Sequence, residues 1–238
     1  MNSWTTANTP LIIAHRGASA DLPENTLAAC ALAAEHGADG IEFDVQFSAD
    51  NQIVIFHDAT LERLAGSERK ISEMTLPELK EIDLGEGQTL ATLDELFEMM
   101  GPQLLYNIEI KGFNRRNNGL EAAVADRVES FGLQELTLIS SFNPFSVRRA
   151  RKIFSRSVPV ALIRAPGYYK YTYLLASEQA DHPHYSLVDE SYMAWAKKRG
   201  YRVHVWTVDD PQEAARLASL GVHGIISNRP RFLRQHLS

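Results

Sequence analysis

Nine short apolar runs punctuate the chain: Leu11–Ala14, Gly40–Val45, Ile53–Phe56, Leu104–Ile110, Leu136–Ser140, Val158–Ile163, Tyr185–Val188, Arg202–Val208 and Val222–Ile226. Each is four to seven residues long, the length of a buried strand rather than of a helix. Segments of helical periodicity lie between them. Asn25–His36 is alanine-rich and stops at Gly37, a glycine placed to end a helix. Leu120–Phe131 and Asn143–Phe154 repeat their apolar positions at helical spacing. Ser191–Arg199 stops at Gly200, and Pro211–Leu220 stops at Gly221, with Asp210 and Pro211 placed as N-cap and first helical residue.

One of the nine runs stands apart. Only Gln46–Gln52 separates the second run from the third, and seven residues cannot complete a parallel crossover. Ile53–Phe56 must therefore return antiparallel as a hairpin, with Asp50 and Asn51 at its turn. Eight strands remain, seven of them followed by a helix before the next. Eight such units in 238 residues predict a (β/α)8 TIM barrel, an α/β fold, occupying 1–238 as a single domain. A doubly wound open sheet is the alternative, but it normally uses fewer strands. The irregular part is Ala59–Gly101, where Leu76–Ile82 and Leu93–Met100 are amphipathic. The first of these falls within a small insertion of approximately residues 59–90 after the second strand. The second is the helix that precedes the third barrel strand.

Composition narrows the function classes. Hydrophobic residues make up 45% of the chain and charged residues 23%, values of an ordinary globular protein. Cys30 is the single cysteine, so no intrachain disulfide is possible and a reducing compartment fits. Thirty acidic residues against 24 basic give a net charge of −6, which argues against a nucleic-acid partner. Met1–Pro10 is polar and lacks the basic and apolar regions of a signal peptide. No apolar run approaches the ~18 residues of a transmembrane segment. A soluble, cytoplasmic protein is the expectation. Its oligomeric state is not readable.

Barrel active sites form at the C-terminal ends of the strands, and polar residues gather there. The first strand runs into His15-Arg16-Gly17, the second carries Glu42 and Asp44, and the hairpin strand ends in His57-Asp58. The third ends in Glu109 and Lys111, the fourth in Ser141-Phe142, and the seventh in Trp206. Glu42 and Asp44 are two apart on a strand and face the same side. Two such carboxylates repel unless a proton or a cation lies between them. With Glu109 as a third, they suit one hard divalent cation, Mg2+ or Ca2+. His15 and His57 suggest an acid and a base, because imidazole titrates near neutrality. Metal ligation is their competing role, and zinc would favour it. Arg16 and Lys111 can cradle a phosphate, or pair with the carboxylates, or do both in turn.

These segments resemble the glycerophosphodiester phosphodiesterase family across nearly the whole chain. The resemblance rests on an ordered series: AHRG at 14–17, PENT at 23–26, IEFDVQ at 41–46, HDATLER at 57–63, IEIK at 108–111, SSF at 140–142 and VWTV at 205–208. It implies hydrolysis of a glycerophosphodiester, such as glycerophosphocholine or glycerophosphoethanolamine, to sn-glycerol 3-phosphate and an alcohol. By this likeness His15 and His57 are the acid/base pair, and Glu42, Asp44 and Glu109 hold the metal. Arg16 and Lys111 contact the phosphate, while Phe142 and Trp206 line the pocket near the glycerol. Glu24 and Asn25 shape the first loop, with Glu24 within reach of the site. The nucleophile is water or the glycerol 2-hydroxyl.

Two departures lie near the last strand. Family members often carry G-x-D-G-I-x-T-D-x-P, where this chain has His223 and Asn228 in place of the acidic residues. Asp209 stands where an asparagine commonly follows the tryptophan strand. Two other readings are carried forward. One is a lysophospholipase D-type phosphodiesterase, for which the aromatic loop Tyr168–Tyr173 is the candidate lipid contact. The other is a noncatalytic glycerophosphodiester-binding barrel.

Overall fold

The computed structural model describes residues 3–7, 9–112, 117–176 and 179–237. Met1, Asn2 and Asn8 of the polar N-terminal stretch lie outside them, as do Ser238 and the side chains of Tyr168 and Lys170. Eight parallel strands close into a barrel: β1 (Leu11–His15), β2 (Gly40–Phe47), β3 (Leu105–Ile110), β4 (Thr137–Ser141), β5 (Val160–Arg164), β6 (Ala180–Pro183), β7 (Arg202–Val205) and β8 (Gly224–Ser227). Closure is explicit, because β1 pairs with both β2 and β8.

Strand alternation sorts the side chains. Odd positions of β1 and β3 and even positions of β2, β4, β7 and β8 point inward. Leu11, Ile13, Leu105, Leu138 and Ile226 thus form an interior cluster, together with Ala161 and Ala180. The opposite parity, including Ile41, Phe43, Tyr106, Ile108 and Ile139, packs under the outer helices. Trp4, from a helical turn at Ser3–Thr6, is fully buried at the interior cluster and donates Nε1–H to the Leu136 carbonyl at 2.8 Å. Nothing in the polar N-terminal composition singled it out.

Helices follow where the sequence places them at α1 (Leu27–Glu35), α2 (Leu93–Met100), α3 (Leu120–Ser130), α4 (Pro144–Ile153), α5 (Glu190–Arg199) and α6 (Pro211–Ser219), and a further one, α7 (Pro230–His236), follows β8. The Asp210 side chain accepts from the Glu213 amide at 2.8 Å, capping α6 ahead of Pro211. The hairpin also forms: Ile53–Ile55 pairs antiparallel with β2, with Phe47 opposite Ile53 and Asn51 left-handed in the turn. The small sheet of the insertion, Thr60–Leu61 with Ser67–Lys70, covers its own apolar cluster.

The sixth strand is a correction. Tyr185–Val188 is no strand; Tyr185–Leu187 is a 3-10 turn whose apolar residues pack beneath α5 and α6. The strand is Ala180–Pro183, which lacks an apolar run because its outward residue, Asp181, is buried in an ion pair with Arg164. A 3-10 helix at Gly167–Leu174 takes the place of a regular helix between β5 and β6.

Candidate active site

Strand register assembles the site. His15 lies beside Glu42 across β1 and β2, and Asp44 beside Glu109 across β2 and β3. After His15 the chain turns sharply: Arg16 and Gly17 have φ of 56° and 81°. A Cβ on Gly17 would stand 2.6 Å from the Ala29 carbonyl carbon, so only glycine lets the turn lie against α1. The Arg16 amide donates to the Glu42 carbonyl at 2.7 Å, which fixes the turn over the second strand.

Glu42, Asp44 and Glu109 are all buried, and their ligand oxygens lie within 4.8 Å of one another. Burial, then Asp44 and Glu109, pushes the Glu42 carboxyl well up. Burial likewise lifts Glu109, to about 7. Asp44 goes the other way, to about 2: burial opposes its ionisation, but Lys111 and Arg16 outweigh burial. Asn25, itself buried and left-handed, donates Nδ2–H to Asp44 Oδ2 at 2.9 Å. Asp44 Oδ1 accepts no hydrogen bond, although the Lys111 ammonium stands 3.2 Å away. An all-oxygen donor set, with one buried lone-pair oxygen unsatisfied, fits a hard divalent cation. This group of potential ligands, found among the described residues, is made of carboxylates alone.

Both site cations are engaged with carboxylates. Lys111 Nζ lies 2.7 Å from Glu109 Oε1, and Arg16 contacts Glu24 at 2.8 Å and Asp44 at 3.4 Å. Glu24 therefore hydrogen-bonds within the site, while Thr26 caps α1. Arg63 from the insertion bridges Glu24, at 2.6 Å, and Asp58, at 2.7 Å. Asp58 Oδ1 in turn meets His57 Nδ1 at 2.6 Å. His15 Nδ1 instead meets Asn228 Oδ1, at 2.7 Å. Burial lowers the pKa of both histidines, so both favour the neutral ring.

A cavity of about 110 Å³ collects these groups. His15, Arg16, Glu42, His57, Glu109, Phe142 and Trp206 line it, and Lys111 adjoins it through Glu109. The Phe142 and Trp206 rings meet edge to face at 5.5 Å, forming an apolar wall, and Tyr169 packs on Phe142 from outside at 5.6 Å. All nine residues singled out in the sequence are thus brought to one end of the barrel. Sequence reasoning missed the cavity floor, Asn107 and His182. Asn107 is two positions before Glu109, so strand alternation alone would have found it. His182 lies on the strand that the hydropathy pattern misplaced. Behind it, His182 Nε2 is 2.9 Å from His204 Nδ1 in the barrel interior, and burial holds the His182 ring neutral.

Comparison with known proteins agrees with this geometry. The sequence profile of the glycerophosphoryl diester phosphodiesterase family matches residues 15–231. A glycerophosphodiester phosphodiesterase from Caldanaerobacter subterraneus subsp. tengcongensis is 35% identical over 233 residues, covering 94% of this chain and 96% of that protein. A phosphodiesterase from Oleispira antarctica, solved in complex with the product sn-glycerol-3-phosphate, superposes with a TM-score of 0.81 at 29% identity, covering 96% of each chain. A glycerophosphodiester phosphodiesterase from Thermotoga maritima also has a TM-score of 0.81, at 27% identity, covering 96% of this chain and 99% of that one.

Proposed function

The chain belongs to the glycerophosphoryl diester phosphodiesterase family, and from that premise we propose that it hydrolyses glycerophosphodiesters such as glycerophosphocholine or glycerophosphoethanolamine. The products are sn-glycerol 3-phosphate and the headgroup alcohol. One observation carries the reading: two histidines from different strand ends line the same cavity as Glu42 and Glu109, two members of a buried carboxylate triad completed by Asp44.

His15 and His57 are the acid/base pair, one taking the proton of the nucleophile and the other protonating the leaving alcohol. Each ring is held at Nδ1 by a side-chain oxygen, which leaves Nε2 for proton transfer. Arg16 and Lys111 hold the phosphate, with fixed positive charge matched to its oxygens. Phe142 and Trp206 receive the glycerol carbons and exclude water from the reacting bond. Glu42, Asp44 and Glu109 would hold one divalent cation, Mg2+ or Ca2+. When bound, such an ion withdraws charge from the phosphate as phosphorus becomes five-coordinate. Among the described residues, no helix is long and apolar enough to cross a membrane, and a small substrate asks for none.

The test compares glycerophosphocholine with lysophosphatidylcholine. The proposal expects glycerol 3-phosphate from the first at a rate far above choline release from the second. Faster turnover of the lysophospholipid would replace it with the lysophospholipase D-type reading. Saturable binding of glycerophosphocholine with no product would leave a noncatalytic binding barrel.

A further inference from the structure

Asp209 and Asn228 depart from the common family pattern at separate places in the sequence, yet they form one hydrogen-bonded pair. Asn228 Nδ2 lies 2.7 Å from Asp209 Oδ2. The other Asp209 oxygen accepts from Ser227 Oγ and from the Asn228 amide, both at 2.8 Å. Asp209 is thereby anchored by the residues at the end of β8. Across the seam of the barrel, where Ala14 of β1 pairs with Ser227 of β8, Asn228 Oδ1 meets His15 Nδ1 at 2.7 Å.

The chemistry of the pair allows one arrangement of protons. A carboxylate has none to give, so the edge of Asn228 that faces Asp209 must be its NH2. Its carbonyl edge then faces His15, while the single Ser19 hydroxyl proton is divided between that oxygen, 2.9 Å away, and the His15 carbonyl at 2.7 Å. A carbonyl oxygen only accepts. The proton between Asn228 and His15 therefore sits on Nδ1, and the neutral ring carries its lone pair on Nε2. That atom faces the site, 3.9 Å from Glu42 Oε2.

We infer that Asp209 and Asn228 are positioning residues that lock His15 in the Nδ1–H tautomer, so that it enters the reaction with Nε2 ready to accept a proton. The inference deepens the proposed function and rests on His15 being one of its acid/base groups. It also separates the two histidines: His57 is backed directly by a carboxylate, whereas the negative charge behind His15 is held one amide away. Asp209 touches no reacting atom in this scheme. It acts by denying Asn228 the flipped orientation, which would present NH2 to Nδ1 and move the ring proton to Nε2.

Two measurements test this. The first is nitrogen-15 NMR of histidine-labelled, cation-free protein, with the His15 signals identified by their loss in His15→Gln. The expected pattern is a protonated Nδ1 and a lone-pair-bearing Nε2. The opposite tautomer overturns the inference, whether or not the protein is active. The second is kinetic. Asp209→Asn should lower kcat by up to ~10²-fold, the lower end of one acid/base contribution, with KM little changed. The exchanged pair Asp209→Asn/Asn228→Asp keeps an acceptor toward His15 and should restore most of the loss. Full activity in Asp209→Asn, or an exchanged pair no better than the single variant, contradicts the inference. Absence of glycerol 3-phosphate release by the wild type would count against the proposed function and leaves the NMR outcome decisive for the tautomer.

Discussion

Lys111 Nζ lies 2.7 Å from Glu109 Oε1, two residues earlier on the same strand edge. A lysine here offsets the charge of the carboxylate cluster, and under the proposed function it would turn to the substrate phosphate when the triad holds a divalent ion. Burial disfavours its charge, but Glu109 and Asp44 hold the ammonium firmly protonated.

Replacing it isolates that second role. Lys111→Met should lower kcat/KM by ~10- to 10²-fold, the ~1.5–3 kcal/mol of a hydrogen bond to a charged group. Steady-state kinetics on glycerophosphocholine at saturating cation provide the check. An unchanged kcat/KM would confine Lys111 to neutralising the triad.

His15→Ala and His57→Ala should each lower kcat by ~10²–10⁴-fold, the usual contribution of one general acid or base. Circular dichroism and the unfolding midpoint should show the fold retained, since neither ring belongs to the buried apolar core. Near-normal turnover by either variant removes that residue from the acid/base pair.

Cation affinity should rise with pH. Glu42 and Glu109 have raised pKa values, Glu109 at about 7, so near neutrality the cation-free site holds protons that a cation must displace. Affinity for Mg2+ or Ca2+ then tightens by up to ~10-fold per pH unit for each proton released, the Glu109 share of the rise ending above about pH 7. Isothermal titration at pH 6, 7 and 8 in buffers of different ionisation enthalpy measures both the affinity and the protons. A pH-independent affinity with no proton release contradicts the assigned ligands.

Stability should fall as pH is lowered from about 6.5 toward about 3. Burial depresses the folded-state pKa of His182 to about 3, against 6.5 for the free side chain. Between these values the unfolded chain binds a proton that the native state refuses. The stabilisation is present above pH 6.5 and is lost as pH falls, at about 1.4 kcal/mol per unit for this group. Denaturant unfolding at pH 7, 6 and 5 should show stability falling with pH, His204 and His223 adding to the His182 share, and His182→Asn should show a shallower slope. Equal slopes in the two proteins would mean that His182 carries none of it.

Most of the site that follows strand alternation was legible in the sequence, Asn107 on the cavity floor being the exception. Glu42 and Asp44 share a face because they are two apart; His15 stands where an apolar run stops, and Glu109 and Trp206 lie toward the C-terminal ends of theirs. The hairpin was legible because Gln46–Gln52 is too short for a crossover. What escaped depends on partners distant in sequence. Ala180–Pro183 is buried without being apolar, since Arg164 neutralises Asp181, so its hydropathy resembles a loop. Tyr185–Val188 is apolar without being a strand, because it seals the core beneath α5 and α6. The supports of the site, Asn25 for Asp44 and Asn228 for His15, are ordinary polar residues until the barrel closes.

The most direct test of the central claim is a coupled assay of sn-glycerol 3-phosphate release across a panel of headgroups. It is run with excess EDTA and then with Mg2+ or Ca2+ restored. The account predicts product from glycerophosphocholine or glycerophosphoethanolamine that disappears with the chelator and returns with the ion. Full activity in excess EDTA, or no glycerol 3-phosphate from any headgroup with either ion, would contradict it.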